Sequence, residues 1–338
     1  MTPARFQLIT GRYPVLRLAV IGDFCLDRYF DIDPARSEVS LETGLPVHNV
    51  VKVRCQPGAA GTILNNLVAL GVGTLWPVGF AGEDGEGWEL VRSLHRQPGV
   101  RTDHFLQTAE RQTFTYSKPL IHHPGRPPEE LSRLDTKNWT PTPASVAVAL
   151  ADRIDRLAGD ADALIVMDQV DLPETGVVTS AVRARIGHWA ANRPAMPVVA
   201  DSRRSLRGFP PLIFKMNAAE LARFAGRAVE SIPAIQAAAA ELARSNQRPV
   251  FITLAERGIA GADAEGSTHH RPALPLRGPI DIVGAGDSVT ANLTAALAAG
   301  AELPEAMELA MAAAHLVIHQ LGTTGTASVA QLEEVLLG

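Results

Sequence analysis

The sequence predicts an α/β fold: a mainly parallel central sheet flanked by helices, with a small β lid. Three observations carry that expectation. Short apolar runs without polar–apolar alternation recur along the chain, as in strands covered by helices on both faces. Stretches with helical spacing lie between them. Two segments of strand-like alternation, about 28–55 and 112–121, break the rhythm and are assigned to the lid. The chain of 338 residues is read as one domain over 1–338, its 46% hydrophobic residues allowing a sizeable core. Aromatic residues make up only 5% and alanine is abundant in the C-terminal third, which favours helix-rich packing over an all-β sandwich.

In chain order, the buried strands are expected at 18–21, 74–78, 163–167, 197–200, 212–214 and 250–254. Helical patterns cover about 60–70, where Gly71 is a natural stop, then 145–157, 175–192, 232–245 and 305–320. The Pro- and Gly-rich stretch 122–130 is expected to loop out. The alanine runs at 237–240 and 310–314 read as close-packed helical core.

Several functions are disfavoured. The net charge is −5 and no dense Lys/Arg run occurs, so charge gives no support to a nucleic-acid partner. Cys25 and Cys55 lack CxxC spacing and nearby histidines, which argues against structural zinc; Cys25, in an apolar run, reads as a packed thiol. No apolar stretch reaches the roughly 20 residues needed to span a bilayer, and no signal-peptide core precedes the first strand. No membrane partner and a cytoplasmic location are therefore expected. The pairs His122–His123 and His269–His270 are read as surface residues in loops. Neither a P-loop nor a nucleophile elbow is present.

The strongest chemical signal is D-I-V-G-A-G-D-S at 281–288, followed by a helical pattern to about 299. Gly284 and Gly286 let backbone N–H groups approach a ligand, and the helix N-terminus adds partial positive charge. Asp287, at the helix start, is either a helix cap or the base that takes a proton from an attacking hydroxyl.

That run resembles the second signature of the ribokinase-like (PfkB) carbohydrate kinases, and further motifs follow in the family's order over nearly the whole chain. G-D-F-C-L-D at 22–27 resembles the opening sugar-contact turn, and P-G-A-A-G-T at 57–62 the Gly-Gly signature. G-E-D-G-E-G at 82–87 resembles the G-x-D-x-x-G turn. K-M-N-A-A-E at 215–220 contains N-x-x-E, and T-L-A-E-R-G at 253–258 resembles T-x-G-x-x-G. Within the family, G-D-F-C-L-D-R-Y, Arg133-Leu134-Asp135 and Asp201-Ser202-Arg203 look most like the heptose-7-phosphate kinase group. The nucleotidyltransferase domain sometimes fused to those kinases is not expected, because the sequence ends soon after the kinase-like region.

The resemblance implies a ribokinase-like fold and transfer of the ATP γ-phosphoryl to a hydroxyl of a sugar or sugar phosphate. Asp287 would be the base, and the amides of Gly284, Ala285 and Gly286 the anion hole. Asp27, with Asp23, would contact the sugar; Gly58 and Ala59 would let it approach the backbone, and Thr62 stands beside them. Asn217 and Glu220 would organise Mg²⁺, partly through water; read alone, they are equally a helix start with an acidic first turn. Thr253 and Gly258 would line the nucleotide, and Lys118 would offset charge on substrate or phosphate unless it is a solvated surface lysine. A monovalent cation near Asp281 and a homodimer through the lid complete the implied set.

The departures from the family pattern concern the pockets. Ala59 replaces the second glycine, Thr62 an asparagine, Val283 a threonine and Ala255 a glycine. Met311 and His315 stand where related kinases often carry Asn and Gly. A divergent substrate is the expected explanation. A catalytically silent sugar- or nucleotide-binding regulatory protein and a nucleoside kinase are the alternatives.

Overall fold

The structure, a computed structural model, describes residues 1–157 and 159–338. In chain order its strands are β1 (Arg17–Gly22), β2 (Phe24–Ile32), β3 (Glu38–Val39), β4 (Pro46–Val47), β5 (Val50–Ala59), β6 (Thr74–Val78), β7 (Phe80–Gly82), β8 (Leu106–Thr108), β9 (Phe114–Ile121), β10 (Glu129–Glu130), β11 (Leu134–Thr136), β12 (Ala163–Asp168), β13 (Val198–Ser202), β14 (Ile213–Asn217), β15 (Val250–Thr253), β16 (Ile259–Ala262) and β17 (Thr268–Arg271). The helices are α1 (Pro3–Thr10), α2 (Ala60–Ala69), α3 (Gly85–His95), α4 (Ala144–Leu157), α5 (Ser180–Asn192), α6 (Ala218–Ala225), α7 (Ile232–Asn246), α8 (Ala285–Ala298), α9 (Leu303–Ile318) and α10 (Val329–Leu337).

The central sheet has eight strands in the order β17-β16-β15-β14-β13-β12-β1-β6. Pairing is parallel from β6 to β15 and antiparallel at β15–β16 and β16–β17. Strand β1 shows why its sequence is apolar throughout. Leu18 and Val20 pack with α2, α8 and α9, whereas Ala19 and Ile21 pack with α4 and α5 on the opposite face. Both faces are thus buried, as helices on either side require.

The lid is a second sheet, β10-β9-β2-β5 with β11 on β9, and β3–β4 forms a separate hairpin. Only Asp23 separates β1 from β2, so the lid is a direct extension of the core.

The sequence expectations need four corrections. Helix α5 starts at Ser180, not 175; Thr179 caps it by accepting a hydrogen bond from Val182 N–H. Residues 129–130, expected in a loop, pair with β9 through main-chain hydrogen bonds. His269 and His270 lie in β17 rather than a loop, because that strand closes the antiparallel end of the sheet. The lid sheet also reaches beyond the expected bounds, taking in residues 24–32, 50–59, 114–121, 129–130 and 134–136.

Candidate functional site

Asp23, Asn217 and Thr253 sit at the C-terminal ends of parallel strands, where an open α/β sheet leaves its crevice, and the lid strands and the start of α8 supply most of the other candidates. Asp23 follows β1, Asp168 ends β12, Asp201 lies near the end of β13, and Lys215 and Asn217 close β14. Two groups of site residues meet there, the second of them around an open cleft.

The first lies under the lid. Asp27 on β2 is buried, with its Oδ1 3.1 Å from Lys118 Nζ on β9. Lys118 is buried as well, donating to the Tyr29 hydroxyl at 3.4 Å with its ammonium 4.8 Å from that ring. The surface-lysine reading is therefore set aside. Burial raises the Asp27 carboxyl above its ordinary range, and Lys118 opposes that rise. Gly58 lies across from Cys25 on the paired strand, and a Cβ there would stand 2.5 Å from Asp27 Oδ2. Only glycine fits.

Asp23, expected at the sugar, holds a loop in this structure. Its Oδ2 accepts from Gln169 N–H at 2.8 Å and Val170 N–H at 3.3 Å, and its Oδ1 from Val177 N–H at 2.6 Å. Both oxygens are occupied in holding the 169–177 loop, and the carboxylate is buried. It is a clamp on that loop.

The second group surrounds a cleft of about 620 Å³ between the ends of β14 and β15, the 255–258 turn, and helices α8 and α9. Such a volume suits a nucleoside-sized ligand. Asn217, Glu220, Thr253, Gly258, Ala285 and Gly286 all line it. Asn217 and Glu220 form a reciprocal capping box on α6: Glu220 N–H donates to Asn217 Oδ1 at 2.9 Å, and Asn217 N–H to Glu220 Oε2 at 2.7 Å. Thr253 Oγ1 is directed to the Met216 carbonyl at 3.5 Å. At Gly258, with φ +92°, a side chain would strike the Arg271 carbonyl.

The glycine turn borders the cleft through Ala285 and Gly286. Gly284 has φ +82° at the N-cap of α8, and a Cβ there would collide with the Thr324 methyl. Thr62 is buried on the other side, its methyl 3.5 Å from the same point. Asp287 lies in the first turn of α8, half-buried, and its carboxylate makes no hydrogen bond or ion pair among the described residues. Desolvation pushes its pKa up to about 7, Asp201 and Asp27 add to the rise, and Lys215 opposes it.

Lys215 is the residue that sequence reasoning missed. Its Nζ donates to Asp201 Oδ2 at 2.7 Å, and Thr290 Oγ1 donates to the same oxygen at 3.1 Å. A Cβ on Gly286 would lie 3.1 Å from the ammonium, so the cation stands behind the anion-hole turn. Burial pulls the Lys215 pKa down, but Asp201, with Asp287 and Glu220 beyond, more than reverses this; the group stays charged. A usable signal was present: alternation on β14 puts Lys215 and Asn217 on one side of the strand. Gln56 and Thr324 were missed too. Gln56 Nε2 donates to Thr324 Oγ1 at 2.5 Å, tying the lid strand to the loop beside Gly284.

Two departures from the glycine pattern leave a physical trace. Ala59 has φ +53° and Ala255 φ +52°, in the half of conformational space that favours glycine. Ala59→Gly and Ala255→Gly should each stabilise the protein by about 0.5–1 kcal/mol, relief of strain exceeding the added unfolded-state entropy. Urea unfolding midpoints check this, and a lower midpoint in either variant would contradict it.

The fold is that of the ribokinase-like proteins. Among solved structures, the chain resembles Arabidopsis thaliana ribokinase complexed with ribose and ATP, at 18% identity and TM-score 0.70 over 96% of this chain and 99% of that one. It also resembles Escherichia coli phosphofructokinase-2 in complex with fructose-6-phosphate, at 16% identity and TM-score 0.68 over 95% and 97%. The model of the pfkB family carbohydrate kinases matches residues 162–330. The chain belongs to the pfkB family of carbohydrate kinases. Its curated relatives include the bifunctional protein HldE of Pelobacter propionicus, 30% identical over 335 residues, covering 98% of this chain and 65% of the relative. HldE of Gluconacetobacter diazotrophicus is 32% identical over 314 residues, 92% of this chain and 62% of the relative. The chain thus spans a little under two thirds of these relatives, which fall in the group its sequence motifs resemble.

Proposed function

We propose that this protein transfers the γ-phosphoryl group of ATP to a hydroxyl of a sugar or sugar phosphate, with Asp287 as the base. The observation that carries this reading is an unpartnered carboxylate with a pKa of about 7, within electrostatic reach of the buried Asp27 of the lid and beside a nucleoside-sized cleft. Asp27 would accept hydrogen bonds from sugar hydroxyls, with Lys118 holding its charge in place. The amides of Gly284–Gly286 and the buried Lys215 ammonium would stabilise charge on the transferred group. The lid, closing over the site, would exclude water from the phosphoryl donor.

Mg²⁺ would neutralise the nucleotide phosphates. The donor set suits a water-mediated role for the protein. Among the described residues, no three His, Cys, Asp or Glu side chains gather into a metal site. Asn217 Oδ1 and Glu220 Oε2 are engaged in their capping box, and Glu220 Oε1 is left to face a hydrated ion. Burial raises the Glu220 carboxyl above its ordinary range, and a nearby cation would offset that. The monovalent cation implied near Asp281 would meet a carboxylate whose Oδ1 already accepts from Val283 N–H at 3.0 Å.

A phosphorylated seven-carbon sugar is the first substrate to try. The likeness to the heptose-7-phosphate kinase group supports it, as do Arg133 and Arg203, whose charges reach Asp27 and Tyr116 on the lid. The test is ADP release from Mg-ATP across sugars, sugar phosphates and nucleosides. A signal confined to nucleosides would favour a nucleoside kinase, and ligand binding without turnover a silent regulatory protein.

The lid also supports a homodimer. Strand β5 is its edge, and Val50, Val51 and Val53 on it are all more than 40% exposed. Light scattering should return twice the mass of the chain; a monomer at micromolar concentration would refute this. No helix among the described residues is long and apolar enough to cross a membrane.

A further inference from the structure

The wall of the cleft away from the phosphate end is formed largely by apolar side chains: Leu254, Leu274 and Ile280 on one side, Met311, Ala314 and Ile318 on the other. His315 lines that wall from α9. Its Nδ1 is buried and has no hydrogen-bond partner among the described residues. An unmade hydrogen bond at a buried polar atom costs about 1–3 kcal/mol, so such an atom calls for an explanation.

The neighbouring His319 cannot supply the partner. Its ring centroid lies 4.6 Å from that of His315, but both of its nitrogens are committed. Nε2 accepts from Arg277 N–H at 3.0 Å, which leaves Nδ1 to donate to the His315 carbonyl at 2.7 Å. That fixes the tautomer of His319. Burial, the largest cause, holds His315 below the ordinary histidine range, and Arg277 adds to it. The other polar groups lining the cleft are already placed. Lys215, Asn217, Glu220 and Thr253 stand at the phosphate end, Glu256 is exposed, and Arg257 donates to the Glu230 carbonyl.

A planar heteroaromatic base would bury its faces against this apolar wall, but its edge needs a polar partner. We propose that His315 is a specificity-determining residue that hydrogen-bonds the edge of a purine base seated in this cleft. The proposal rests on the reading of the cleft as the nucleotide site. It gives a use to a residue type foreign to the family pattern, and it locates nucleotide selection on α9 rather than at the phosphate end.

The test is isothermal titration of wild type, His315→Ala and His315→Asn with ADP, CDP and inorganic tripolyphosphate, each with Mg²⁺. The expected result is ADP affinity at least tenfold weaker in His315→Ala, with CDP and tripolyphosphate within twofold of wild type. His315→Asn, which keeps a hydrogen-bonding edge, should recover part of the ADP affinity. Unchanged ADP affinity in His315→Ala would overturn the inference, and so would equal weakening of all three ligands. Failure of the wild type to bind any nucleotide would instead overturn the nucleotide reading of the cleft, and the role of His315 with it.

Discussion

Asp287→Asn is expected to reduce turnover at least a thousandfold, within the range general-base catalysis contributes, while ADP affinity stays within about threefold. The reason is the isolation of this carboxylate. It serves no cap and no ion pair among the described residues, so its loss removes a proton acceptor without disturbing a network. The pH dependence follows with a definite sign. A carboxyl with pKa about 7 is protonated below that pH and cannot accept the hydroxyl proton. The kcat/KM of the wild type should therefore fall about tenfold per pH unit below 7 and level off above it, whereas an unperturbed aspartate would keep activity to about pH 4. A flat profile between pH 5 and 8 would contradict the assignment.

The same shift makes a stability statement. Because the folded-state pKa is raised, stability present below pH 4 is lost as pH rises through 7. Asp287→Asn should thus stabilise the protein at pH 8 by roughly 2 kcal/mol, about half of what the full shift implies, since the residue is only half-buried. At pH 4 it should do almost nothing. Paired denaturation curves at the two pH values would show this, and an inactive variant that is also more stable is hard to explain by misfolding.

Lys215→Met carries the second large effect. It strands Asp201, which is buried with only the Thr290 hydroxyl left to it in place of the ammonium. Breaking one side of a buried pair costs about 3–5 kcal/mol, a large share of the 5–15 kcal/mol that holds a typical domain together. Adding Asp201→Asn removes the uncompensated charge and should restore most of the stability. Turnover should stay lost in the double variant, because the cation behind Gly286 is still missing. Wild-type stability in the single variant would show that the pair carries no such weight. Recovery of both stability and turnover in the double variant would show that Lys215 acts only as a counter-ion to Asp201.

The parallel part of the core was legible because its strands are apolar on both faces, as β1 and β12 show. The antiparallel end was not. Strand β17 reads Thr-His-His-Arg, exposed or half-exposed along its length, so neither burial nor alternation marks it. The start of α5 was misjudged because residues 175–178 are buried like a helix face, although they are a loop held down by Asp23. Motif reading picked out Asp287, Asp27 and the glycines, whose chemistry is local. It gave no role to Lys215, which matters only because β13 carries Asp201 and α8 carries Thr290 to the same spot. The loop-holding bonds of Asp23 were hidden for a related reason: its partners lie about 150 residues away in the sequence.

The order of strands in the central sheet bears on how the protein is made. Strand β1 is flanked by β6 on one edge and β12 on the other, and β12 is not complete until Asp168. During synthesis, the edge of β1 that will meet β12 stays unpaired while about ninety further residues are added, some 5–20 s at ordinary elongation rates. Throughout that interval the nascent chain displays a strand apolar from Leu18 onward with open hydrogen-bonding groups, a template for wrong partners. The yield of folded protein should therefore depend on how the ribosome is paced across residues 80–168, and on whether a chaperone shields β1 in the meantime.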